Sequence, residues 1–285
     1  MNIRHERYGI HSCISLLVYS NLITAVSCSA LTLLTFLLLN CPVIVPIMLV
    51  VFSGTLLIYT FNRFTDIHED SINLPERVTF IRNFGKVILL IALFLYIVSL
   101  ALVASGSTIA GIVAVIPVII AVLYSYFRLK KIFLIKNILI STGGVCSVLV
   151  AGTYYSVFSA TMFFLTVLVF NSIFVNTLIF DVKDMKGDKA CNIQTIPTRY
   201  GLRRTKYCCY LLLISLFLIT IYFITEDLRF SIFLPFLGYI MSYTYFLKDP
   251  DQYPEWYFGL YVDGEYVFLL LLIIIFFVCG VFTVH

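Results

Sequence analysis

Residues 43–70 read VIVPIMLVVFSGTLLIYTFNRFTDIHED, an apolar run that ends in Asn62, Asp66, Glu69 and Asp70. The run is long enough to cross a bilayer, since a spanning helix takes about 20 mostly apolar residues. Residues 160–188, ATMFFLTVLVFNSIFVNTLIFDVKDMKGD, repeat the arrangement and close on Asp181, Asp184 and Asp188. Together the two clusters hold six of the chain's 15 acidic residues. Negative charge gathered at the edge of a hydrocarbon phase is costly unless something positive balances it, and a divalent cation is the natural candidate.

Working outward, the same hydropathy criterion predicts nine spans: 16–39, 43–61, 87–104, 108–127, 138–156, 160–180, 207–225, 230–247 and 265–283. The 285 residues are 61% hydrophobic and 12% charged, against about 45–50% apolar for a soluble domain. Transmembrane strands are excluded, because they would be half as long and would alternate in polarity. With a cytoplasmic amino terminus, 18 of the 19 Lys and Arg residues fall on one side and only Arg229 lies opposite. This bias supports both the span count and the orientation, and it puts both acidic clusters on the cytoplasmic side. The expectation is an all-α, multi-pass integral membrane protein of one domain, 1–285, with nine transmembrane helices around a central cavity. The net charge of +4 then reflects topology, and no basic, aromatic-interleaved module for nucleic acid is present. The first run is read as an uncleaved anchor, although Ser27-Cys-Ser-Ala30 resembles a cleavage site. The eight cysteines show neither disulfide nor zinc spacing.

Residues 1–15 are mixed in polarity and suit the membrane interface. Turns on the far side are short, at Cys41-Pro42, Ser105–Ser107 and Tyr155-Ser156, whereas near-side loops are long, at 62–86, 128–137, 181–206 and 248–264. Function belongs with the long loops. An internal echo is visible too: spans two and six each end in acid, then a basic segment, then another span.

On continuous helices, Asn62, Asp66 and Asp70 at i, i+4, i+8 form one polar stripe, and Asp181, Asp184 and Asp188 at i, i+3, i+7 form another, with Gly187 permitting a break or a close approach near its end. The bland alternative pairs these acids with Arg63, Arg77, Lys183, Lys186 and Lys189. Like charges at helical spacing repel, so two facing stripes argue instead for a shared cation. Mg2+ joins a few carboxylates to phosphate oxygens and keeps several waters, and such an ion makes diphosphate a good leaving group. An allylic cation would then remain among apolar and aromatic side chains.

These clusters resemble the two aspartate-rich motifs of the UbiA superfamily of intramembrane prenyltransferases. Asn62, Asp66 and Asp70 follow the family's N-D-x-x-D-x-x-x-D pattern and continue through Asn73, Pro75 and Arg77. Asp181, Asp184, Gly187 and Asp188 follow D-x-x-D-x-x-G-D, with Thr195, Pro197 and Gly201 downstream. Tyr124, Arg128, Lys130 and Lys131, leading to Lys136-Asn137, resemble the segment after helix four that helps to hold the diphosphate. The chain departs from the pattern at Arg63, where an Asp is usual, and at Val78-Thr79-Phe80. The resemblance implies a nine-helix fold and Mg2+-dependent transfer of an isoprenyl group from a prenyl diphosphate to a lipophilic acceptor. It implies Asn62, Asp66, Asp70, Asp181, Asp184 and Asp188 at the metal, with the five aspartates catalytic. Asn62, Arg77, Tyr124, Arg128, Lys130 and Asn176 are the substrate-binding candidates, and for Arg128 and Lys130 charge topology accounts equally well.

Two other readings stay open: a terpene cyclase of the same superfamily, which needs no acceptor, and a transporter or non-catalytic ion-binding membrane protein. The latter would place ionisable groups deep in the spans, whereas most here lie at one interface. His68 points away from Asp66 on the helical wheel and is expected to face solvent. Asn21, Asn171 and Asn176 lie within spans, where amides commonly bond between helices, with Asn176 near the second stripe. The Trp256–Tyr266 segment, with Asp263 and Glu265, reads first as an interfacial aromatic anchor and second as a lid or acceptor contact. The acceptor and the oligomeric state are not encoded in any motif.

Overall fold

The computed structural model describes residues 16–129, 132–248 and 257–280. Each predicted run carries a helix, and no strand occurs among the described residues. In chain order the helices are α1 (Leu22–Leu38), α2 (Val45–Thr65), α3 (Ile67–Asn73), α4 (Pro75–Gly106), α5 (Thr108–Tyr126), α6 (Ile135–Tyr154) and α7 (Ala160–Lys183). Then come α8 (Met185–Ala190), α9 (Ile196–Glu226), a 3-10 turn (Leu228–Ile232), α10 (Phe233–Phe246), a π-helical turn (Tyr257–Val262) and α11 (Glu265–Val278).

Six helices, α2, α4, α5, α6, α7 and α9, are long and apolar enough to cross a membrane. The other three fall short of the runs predicted for them. Asn21 adopts a left-handed conformation, φ 61°, and delays α1, leaving 17 residues. The 3-10 turn takes the opening of the eighth run, so α10 has 14 residues. α11 also has 14, and the last residues of the ninth run lie outside the described ones.

α4 and α9 exceed their apolar windows. A hydropathy window stops where charge begins, but a helix continues if its start is well capped. Pro75 occupies the first turn of α4, and Thr195 accepts from the Thr198 N–H in a reciprocal capping box at the head of α9. Gly201, at φ 79°, kinks α9 just past that start.

The echo in the sequence is structural. α2 (21 residues), α3 (7) and α4 (32) are matched by α7 (24), α8 (6) and α9 (31). Long apolar side chains on α4, among them Phe84, Leu90, Phe94 and Ile97, stay exposed and suit lipid contact. The interior divides into a dense core around α7, α9, α10 and α11, with Phe164, Phe230 and Phe233 meeting edge to face or tilted, and a smaller one between α2, α4, α5 and α6. No disulfide joins the described cysteines.

Candidate active site

Neither acidic stripe lies on a continuous helix. α2 stops at Asp66, φ −103° and ψ 14°, and α3 starts directly after it. α7 stops at Asp184, φ −86° and ψ 5°, and α8 starts after that. Hydrogen bonding carries across both bends, since the Asp66 N–H donates to the Asn62 carbonyl and the Asp184 N–H to the Phe180 carbonyl, each at 2.9 Å. The break in the second stripe thus falls at Asp184, three residues before Gly187. Of the two roles expected of Gly187 it serves the close approach: its N–H donates to Asn73 Oδ1 at 2.9 Å, and a Cβ there would lie 2.5 Å from the Asn73 side chain. Asn73 Nδ2 also reaches the Asp184 carbonyl at 3.5 Å, so one amide clasps α3 to α8.

The bends turn both clusters toward a single pocket. Asn62, Asp66 and Asp70 line it from one side and Asp184 and Asp188 from the other, with Glu69, Asn73, Tyr59, Tyr124 and Asn176 between them. Six carboxylates, counting Asp263, meet only two basic side chains, Arg63 and Lys136. An anionic ligand entering alone would be repelled.

Asp70 is buried and takes a hydrogen bond from Arg77 Nη2 at 2.5 Å, while Arg63 Nη1 stands 3.7 Å from its other oxygen. Arg77 thus supports the wall from behind and does not line the pocket. The Nε atoms of Arg63 and Arg77 are buried without hydrogen-bond partners. Asp181 is fully buried and also behind the wall, accepting from Lys136 Nζ at 2.6 Å and from Asn137 Nδ2 at 2.8 Å. It aims Lys136, which does reach the pocket. Asn62 Oδ1 accepts from Ser125 at 3.1 Å, and Asn176 donates to the Val262 carbonyl at 3.3 Å. Arg128, exposed and left-handed at φ 50°, lies at an outer mouth with Asp66, Glu69 and the exposed His68. Lys130, Lys131 and Trp256 lie outside the described residues.

Beneath the polar pocket, an apolar cavity runs between α2, α5 and α6, lined by Val50, Gly54, Ile58, Pro117, Ala121 and Gly143 among others. Tyr59, Asn62, Tyr124 and Ile140 border both spaces. A charged chamber joined to an apolar one suits an amphiphile, head in the first and tail in the second.

Tyr59, indistinguishable in the sequence from any aromatic in a span, was not among the expected pocket residues, and Asp263 was expected only as part of the Trp256–Tyr266 segment, whose second reading was a lid or acceptor contact. The segment that carries Asp263 is no interfacial anchor. Tyr257, Phe258 and Tyr266 are buried, and Glu265, 1% exposed, accepts from the Tyr243 hydroxyl at 2.7 Å. The π-helical turn bonds Asp263 N–H to the Phe258 carbonyl at 3.0 Å and delivers its carboxylate to the pocket, where Thr24 Oγ1 donates to Oδ2 at 3.0 Å. Burial pushes the Asp263 carboxyl up to about 6, against the Thr24 hydrogen bond and the nearby Lys183, Arg63 and Arg77 charges.

A divalent cation fits this donor set. Among the described residues no three His, Cys, Asp or Glu side chains close around an ion by themselves. Mg2+ does not require that, since water and phosphate oxygens complete its shell. Asp184 Oδ1 is buried and accepts no hydrogen bond, an orphaned acceptor in a carboxylate-rich wall.

The sequence matches the UbiA prenyltransferase family over residues 21–262. No curated protein matches it. Solved structures share the fold at low identity. A UbiA homolog from Aeropyrum pernix K1, in its apo form, superposes with TM-score 0.63 at 13% identity, covering 94% of this chain and 99% of that one. A UbiA homolog from Archaeoglobus fulgidus bound to GPP and Mg2+ gives 0.61 at 14%, covering 92% and 97%. A structure of digeranylgeranylglyceryl phosphate synthase gives 0.58 at 20%, covering 93% and 98%.

Proposed function

The chain belongs to the UbiA prenyltransferase family, and we propose that it is a Mg2+-dependent membrane enzyme that moves an isoprenyl group from a prenyl diphosphate to a lipophilic acceptor, releasing diphosphate. The observation that carries this reading is the meeting of two acidic bends, far apart in sequence, at one pocket joined to an apolar cavity. Nine spans with the pocket mouth toward the cytoplasm agree with the placement of the basic residues.

Asn62, Asp66 and Asp70 on one wall and Asp184 and Asp188 on the other are the groups that would hold the ion. Mg2+, when bound, supplies neutralisation of the charge that develops on the departing diphosphate. The chain's own side chains do the remainder. Lys136, aimed by Asp181, and Arg63, with its unpartnered Nε, donate to diphosphate oxygens. Arg77 fixes Asp70, and Arg128 meets the head group at the mouth, beside the segment that carries Lys130. Tyr59 and Tyr124, where the two spaces join, offer ring faces to the allylic carbon as positive charge develops there. Asn176 anchors the α10–α11 turn opposite, and the apolar cavity takes the tail and keeps water from the cation.

The test incubates isolated membranes containing the protein with labelled prenyl diphosphates of graded length, with Mg2+ or with chelator, and identifies the products by mass spectrometry. A prenylated acceptor that disappears on chelation is the expected result. Hydrocarbon or terpene alcohol formed from purified protein alone would establish cyclisation instead. Ion binding or flux without diphosphate release would remove the enzyme reading.

A further inference from the structure

We propose that Asp263 is the catalytic base that receives the acceptor's proton, the acceptor docking against the turn between α10 and α11. This rests on the prenyl-transfer reading and adds the group that takes the acceptor's proton, which that reading leaves open.

The chemistry requires such a group. As the allylic C1–O bond breaks, its electron pair leaves with diphosphate. An acceptor oxygen or ring carbon then bonds to C1 with its own pair, and one proton must depart from that acceptor. The carboxylates of the two acidic bends are poorly placed to take it. Asp70 is held by Arg77 and Asp181 by Lys136 and Asn137, while Asp66, Asp184 and Asp188 belong to the proposed metal. Glu69 lies toward the outer mouth.

Asp263 differs on each count. It comes from neither acidic bend but from the π-helical turn, in the same pocket. Its backbone is pinned, since Ser27 Oγ donates to its carbonyl at 2.6 Å and Asn176 holds the preceding carbonyl. Thr24 engages Oδ2, and Oδ1 takes no hydrogen bond among the described residues. The titratable groups facing it are Cys28 of α1, Tyr59 and Arg63 of α2, Arg77 of α4, Lys183 of α7 and Glu265 of α11. The cations among them lower its proton affinity, but burial outweighs them, so the carboxylate is more basic than an ordinary Asp and still ionised at neutral pH.

The experiment uses the purified full-length protein in lipid with labelled geranyl diphosphate and Mg2+, and compares wild type, Asp263→Asn and Asp263→Glu. The acceptors are decyl alcohol, an alkylphenol, or azide, a nucleophile with no proton to lose. In the wild type, transfer to the hydroxyl acceptors should rise with pH through about 6 and then level off, because only the ionised carboxylate accepts a proton. Asp263→Asn should lose that transfer by about 10²–10⁴-fold together with the pH step, while losing far less of its geranyl azide formation. Asp263→Glu should restore part of the hydroxyl transfer. Hydroxyl transfer by Asp263→Asn at the wild-type rate would overturn the base while leaving prenyl transfer standing. Loss of geranyl azide as well would assign Asp263 to the diphosphate or to folding. Wild-type hydroxyl transfer that stays flat with pH through about 6 would likewise overturn the base, and wild type that yields no product at all would remove the prenyl-transfer reading itself.

Discussion

The bends at Asp66 and Asp184 share one backbone design and differ in what they leave unsatisfied. Each is an aspartate that ends one long helix and starts a short one, followed by a helix of 32 or 31 residues with proline in its first turn. At the first bend the surplus is in donors: Arg77 and Arg63 crowd Asp70, and both have a buried Nε without a partner. At the second the surplus is an acceptor, Asp184 Oδ1, while the nearby Lys136 is already committed to Asp181. Unfilled N–H groups select an anion and unfilled oxygens a cation. On the proposed function both walls would offer carboxylates to the metal, the first adding unfilled donors for phosphate oxygens and the second an unfilled acceptor.

Paired substitutions put that difference at greatest risk. Asp184→Asn should cut turnover about 10³-fold or more and raise the Mg2+ concentration needed for what remains, since metal catalysis is worth several kcal/mol. Arg63→Gln should leave the Mg2+ requirement alone and raise KM for the prenyl diphosphate by about 10–100-fold, the worth of a charge-assisted hydrogen bond. Steady-state kinetics across a Mg2+ titration separate the two. If both variants shift the same parameter, the walls are not specialised.

The Lys136–Asp181 pair tests whether the second wall's cation is structural or functional. Lys136→Met leaves a buried carboxylate with only Asn137 to answer it, and should lower stability by about 3–5 kcal/mol. Adding Asp181→Leu should recover most of that, because a buried ion pair is replaceable by apolar groups of similar volume. Activity should stay low in both, since neither presents a cation to the pocket. Thermal unfolding alongside turnover reads the two effects, and recovery of turnover in the double variant would make Lys136 merely structural.

Much of this was legible in the chain because membrane insertion leaves few choices. Apolar length marked every long helix, though not the short polar α3 and α8, and the two clusters announced that they belong together. Three features were not legible, each for a physical reason. The wheel that made Asn62, Asp66 and Asp70 one stripe assumed an unbroken helix, and the bend at Asp66 follows from docking α3 on α8, a contact between residues 114 apart. Asp181 looked like its neighbours until Lys136 and Asn137, more than 40 residues away, took both of its oxygens. Asp263 sat in a segment whose aromatic composition suited an interface, and only burial of Tyr257, Phe258 and Tyr266 moves that segment inside.

The smallest effect expected concerns what holds the two walls in register. Asn73→Ala removes the 2.9 Å hydrogen bond from the Gly187 N–H, worth about 1 kcal/mol, and should lower the unfolding midpoint by a few degrees and turnover several-fold with no change in Mg2+ requirement. Gly187→Ala alone should cost more, because its Cβ would lie 2.5 Å from the Asn73 side chain and force the short helices apart. With Asn73 already cut back to alanine that collision disappears, so the double variant should be no worse than Asn73→Ala. Non-additivity of this sign ties both substitutions to one contact between the bends. Simple addition of the two costs would mean that the walls are aligned by the long helices alone, and that the similar geometry of the bends owes nothing to their touching.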